Sequence, residues 1–135
     1  MSKRPFVIFG LTFAVLAVLI PFLAFRTNGD PNTGVSKDVP ASLQQGKTLF
    51  VTNCGTCHTL YAAGTDGNFG PNLDLLLAPS GPATGDTIKS TKERVLNAID
   101  NGVDSTTPGR MPAGIISGQQ AQQVAEFVAN VAGQG

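Results

Sequence analysis

The chain has 135 residues, of which only 13% are charged, and its nine basic side chains balance nine acidic ones. The sequence shows no basic stripe of the sort that collects nucleic acid, and the length allows one ordinary domain plus an appendage. The two cysteines stand three apart, so they cannot staple distant parts of a fold.

The first quarter differs from the rest. Phe6 to Phe25 is a run of twenty residues without a charge. As a helix at about 1.5 Å per residue it reaches about 30 Å, the hydrocarbon thickness of a bilayer. Residues 1–26 therefore read as an uncleaved transmembrane signal-anchor. A cleaved signal peptide competes with this reading, but bulky Phe22 sits two places before Ala24, where a small residue is wanted. A buried core helix is the other rival. Lys3 and Arg4 precede the run, and Arg26 and then Asp30 follow it, which sets the N-terminal end in the cytoplasm. The expected location is a single-pass placement in the cell membrane, with the following domain on the periplasmic or extracytoplasmic side. Membrane lipid is then a partner.

Residues 27–41 are polar and punctuated by Gly and Pro, and read as a flexible linker. The head spans residues 42–135. From Asp30 onward six Lys and Arg face nine Asp and Glu, a net of 6 − 9 = −3, so the head is mildly acidic.

Ser42 is a candidate N-cap for a helix from Leu43 to Thr52, with Leu43, Gly46, Leu49 and Phe50 at helical spacing. Gly46 inside that helix costs roughly 1 kcal/mol relative to Ala; a close helix crossing would compensate, and simple tolerance is the alternative. Thr59 to Lys89 reads as loop with one short helical piece at Leu73 to Ala78. A loop that long suits a domain wrapped around a large apolar object. Ser90 and Glu93 have capping-box spacing and predict a helix ending at Gly102. A last helix is predicted from Gly118 to Val131, with Ser117 as N-cap and Ala121, Val124, Phe127, Val128 and Val131 on its apolar side.

The chemistry lies in Cys54-Gly55-Thr56-Cys57-His58, the C-x-x-C-H pattern of c-type haem attachment. Two thiols at this spacing can each add to one vinyl group of the same haem, and the adjacent histidine is delivered to the iron. A structural zinc site wants four ligands, and the chain has no other Cys or His. A thioredoxin-like pair needs a βαβ context, and no strand pattern surrounds the motif. The expected cofactor is one haem c, covalent through Cys54 and Cys57, with His58 on the iron. Met111 is the only methionine besides Met1, and sits in a Gly- and Pro-containing loop, so elimination makes it the second axial ligand. Its alternatives are a core-filling role or an open sixth site. The Pro71 carbonyl, in Gly70-Pro71-Asn72-Leu73, is available to orient the His58 ring; an ordinary turn is the alternative.

With these pieces in hand the head resembles the class I cytochromes c. The likeness runs through Gly46-Lys47-x-Leu49-Phe50, Cys54-x-x-Cys57-His58, Gly70-Pro71-Asn72-Leu73, Met111-Pro112 and Phe127. It implies an all-α class I cytochrome c fold, here with one N-terminal transmembrane helix. It also implies that the first and last helices cross at Gly46, Phe50 and Phe127, that Pro71 accepts from His58, and that Met111 is the distal ligand. No tryptophan is present, and neither Tyr61 nor Arg110 can be assigned to a propionate. The expected function is single-electron transfer as a membrane-anchored carrier, or as a cytochrome subunit of a respiratory or photosynthetic complex. Donor and acceptor are then membrane-bound proteins, and the chain is not an enzyme. The rival is a haem enzyme or gas sensor with an open sixth site.

Overall fold

The computed structural model describes Gly10, residues 12–20, Phe22, residues 39–104 and residues 109–134. The chain divides into two compact units, Met1–Thr33 and Gly34–Gly135.

In the first unit the described residues are helical and exposed. Among the described residues no helix is long and apolar enough to cross a membrane. This overturns the expected transmembrane anchor. With it fall the single-pass placement in the cell membrane, lipid as a partner, and the anchored carrier or membrane subunit. The other residues of 1–26, and residues 27–38 of the expected linker, lie outside the described residues.

The second unit is mostly helical. A 3-10 turn, Ala41–Leu43, leads into α1, Gln44–Asn53. Ser42 therefore lies inside the turn and caps nothing; the Gln44 side chain steadies the entry by donating to the Val39 carbonyl at 2.7 Å. After the cysteine motif come two short antiparallel strands, β1 (Thr59–Leu60) and β2 (Thr65–Asp66), joined by a second 3-10 turn at Tyr61–Ala63. This ribbon was not expected, since two residues per strand are too few to show alternation. Then follow α2 (Leu73–Leu77), α3 (Asp86–Asn101) and α4 (Gly118–Val131).

Helix α3 begins a full turn before Ser90. Gly85 stands at its N-cap and Asp86 in its first turn, where a carboxylate favours the positive end of the helix. Ser90 lies inside the helix, its hydroxyl donating to the Thr87 carbonyl at 3.0 Å, so the capping-box reading is corrected. The expected stop at Gly102 stands. Ser117 occupies the N-cap position of α4 but makes no side-chain cap bond.

The core forms where α4 meets α1 and α3. Ala121, Val124, Phe127, Val128 and Val131 of α4 are all buried, as their spacing predicts. The α1–α4 crossing depends on Gly46. A β-carbon there would lie 2.7 Å from the Phe127 β-carbon and would strike the Gln123 carbonyl oxygen. One turn on, the Phe50 and Phe127 rings meet with centroids 6.0 Å apart and planes at 58°, a tilted aromatic pair. Lys92 of α3 and Glu126 of α4 form an ion pair at 2.5 Å beside this core.

Candidate functional site

The end of α1 feeds directly into the cysteine motif. Cys54 N–H donates to the Phe50 carbonyl, and His58 N–H donates to the Cys54 carbonyl at 2.9 Å, so the motif continues as a tight turn. Both thiols are free; Cys54 is half-buried and Cys57 exposed. Burial first, and the neighbouring Cys57 second, push the Cys54 thiol up to about 11. A dithiol redox centre needs the opposite, a depressed thiol that attacks as thiolate. Among the described residues no three His, Cys, Asp or Glu side chains gather to hold a metal ion by themselves.

His58 is buried to 9% exposure. Its Nδ1 lies 3.0 Å from the Pro71 carbonyl oxygen. A carbonyl only accepts, so Nδ1 carries the proton and donates. With Nδ1 so engaged, Nε2 is the ring nitrogen left for a metal. The loop between these residues folds back on the motif. Gly70 N–H donates to the Cys57 carbonyl at 2.7 Å, and the Thr59 hydroxyl donates to the Gly67 carbonyl at 2.8 Å. A β-carbon on Gly70 would lie 2.5 Å from His58 Cε1 and 2.8 Å from Nδ1, so only glycine lets the backbone pass the imidazole. Asn72 caps α2 by accepting from the Leu75 N–H at 3.2 Å, which fixes the backbone just after Pro71.

Met111 lies in a second loop, partly buried against the core. It exchanges two backbone hydrogen bonds with Val103, each 3.0 Å. Gly102, at φ 72°, makes the bend that brings the two segments together. A β-carbon there would lie 2.7 Å from the Met111 carbonyl oxygen. Arg110 pairs with Asp104 at 2.8 Å, and both side chains are largely exposed. The Phe69 ring, just before Gly70, lies against Gly109 and leaves no room for a β-carbon there. The structure thus brings Cys54, Cys57, His58 and Pro71 together and sets Met111 on a separate loop that Phe69 touches.

Sequence reasoning missed Phe69, the Val103–Met111 bridge and Asp74. Asp74 is 8% exposed, and its carboxylate accepts from the Tyr61 and Gly133 N–H groups. Its one visible signal was a lone charge in the apolar stretch Leu73 to Ala78.

The cytochrome c family profile matches residues 43–132. The chain belongs to the cytochrome c family. A solved structure, the c-type cytochrome SorU from Sinorhizobium meliloti, is 33% identical, with a TM-score of 0.50 over 68% of this chain and 92% of that one. No curated protein matches the chain significantly. Membership makes the chain a non-catalytic electron carrier's domain and brings with it a covalently bound haem of the c type. The residues fit that group: two unbridged thiols stand beside a histidine whose Nε2 is left for a metal, under a loop with no β-carbon against the ring.

Proposed function

We propose that the domain of residues 42–135 carries single electrons between redox protein partners, using one haem c attached through Cys54 and Cys57, with His58 and Met111 as the iron's ligands. The observation that carries this reading is the 3.0 Å bond from His58 Nδ1 to the Pro71 carbonyl. It commits one ring nitrogen to the protein and reserves the other for a metal.

When bound, the haem supplies a one-electron iron couple, and His/Met ligation sets its potential high. The protein's own share is to hold and orient. Pro71 fixes the imidazole plane and raises the basicity of Nε2. Gly70 lets the backbone close over the ring. The Met111 thioether, a soft neutral donor, comes from a loop pinned by backbone bonds to Val103. The apolar wall from Phe50, Leu60 and Phe127 is buried beside the motif and keeps the local dielectric low. No side chain is called on as acid, base or nucleophile.

Acid-acetone extraction of the purified protein tests the attachment. Haem that stays with the polypeptide is the expected result; haem that leaves with the solvent, or was never held, contradicts it.

A further inference from the structure

We infer that the Asp74 carboxylate is a positioning residue for the proximal ligand, holding the Pro71 carbonyl where it orients His58. The inference rests on the reading of His58 as an iron ligand. His58 and Pro71 are joined by one bond and stand 13 residues apart in sequence. Tyr61 and Asp74 are joined by another, Tyr61 N–H to Oδ2 at 2.8 Å, also 13 residues apart. The two bonds are successive rungs between the same two segments, one leaving the cysteine motif and one entering α2. The second rung sets the spacing at which the first must form.

The other carboxylate oxygen makes the ladder rigid. Oδ1 accepts from Gly133 N–H at 2.8 Å, across 59 residues of sequence. Gly133, at φ 78°, packs so closely that a β-carbon would lie 2.7 Å from the Ala78 β-carbon at the far end of α2. The carboxylate therefore ties the 3-10 turn that begins at Tyr61, and α2 in which Asp74 itself sits, to the segment just beyond α4. A carboxyl group this buried is costly unless its oxygens are satisfied, and here two main-chain N–H groups donate to them. A serine or asparagine would place fewer acceptors at the same junction.

The experiment follows the His58 Nδ1 proton of the reduced holoprotein by NMR hydrogen exchange, beside the core amide of Phe127. In Asp74→Ala the ratio of Nδ1 exchange to Phe127 amide exchange should rise about tenfold, the population change that one hydrogen bond of ordinary strength controls. Asp74→Asn keeps one acceptor oxygen and should raise the ratio about threefold; it serves if the alanine variant does not fold. A ratio unchanged in the folded variant, both protons merely exchanging faster together, would overturn the positioning role and leave Asp74 a plain structural tie. An unsubstituted chain without covalent haem would instead overturn the haem reading, and this inference with it.

Discussion

The two loops that supply the proposed iron ligands are built differently. The His58 loop is tied at every turn: Thr59 to Gly67, Gly70 to Cys57, His58 to Pro71, and Tyr61 to a buried carboxylate. Among its described residues the Met111 loop has a two-bond bridge to Val103, a Gly114 N–H bond to the Ile99 carbonyl at 2.7 Å, and an exposed ion pair. Side-chain ties to buried groups resist local opening, whereas a short backbone bridge in exposed surroundings opens at low cost. Among the described residues the proposed histidine ligand is thus the more firmly tied of the two.

Removing what both loops serve has the largest effect. The double change Cys54→Ala with Cys57→Ala should abolish covalent haem entirely, read as haem staining of a denaturing gel. Staining that persists would break the comparison at its root. A pair of glycine variants then separates the loops. Gly70→Ala forces a β-carbon onto the imidazole and should cost about 1–3 kcal/mol in denaturant unfolding, as overpacking does. Gly102→Ala must adopt a left-handed backbone and press on the Met111 carbonyl, at about 1–2 kcal/mol. Its damage should fall on the Met111 side, with CO binding gained while His58 stays ordered. Equal damage to both ligands from either variant would erase the distinction.

Glu126→Gln is the smallest change and a control outside both loops. The hydrogen bond from Lys92 holds the Glu126 carboxyl below the usual carboxylate range. A lowered folded value means the pair stabilises the protein above the ordinary glutamate pKa of about 4.3. That contribution is lost as pH falls through the lowered value. Both side chains are substantially exposed, at 32% and 44%, so the variant should lose under about 0.5 kcal/mol at neutral pH. The difference from the parent should vanish in acid, and thermal melting at the two pH values checks it.

Much of the site was legible because its parts are local. Cys54, Cys57 and His58 fall within five residues, and the apolar side of α4 repeats at helical spacing. The Gly46 crossing and the Pro71 bond were left open by the residues themselves and came into view through resemblance; the structure bears both contacts out. What stayed hidden is long-range or weakly patterned. Asp74 meets Gly133 across 59 residues, beyond any periodicity. Ser90 carried a cap-like pattern, but Gly85 and Asp86 had already started the helix. The first segment misled for another reason. Hydropathy reports how apolar a run is, and among the described residues no helix is long and apolar enough to cross a membrane.

The most direct test of the account is the visible spectrum of the oxidised protein and of its Met111→Ala variant. The account predicts a weak red-end charge-transfer band in the parent. In the variant that band should be lost, with haem still attached, the midpoint potential lowered and CO now bound. A parent without the band, or a variant that keeps both band and potential, would contradict an iron held between His58 and Met111.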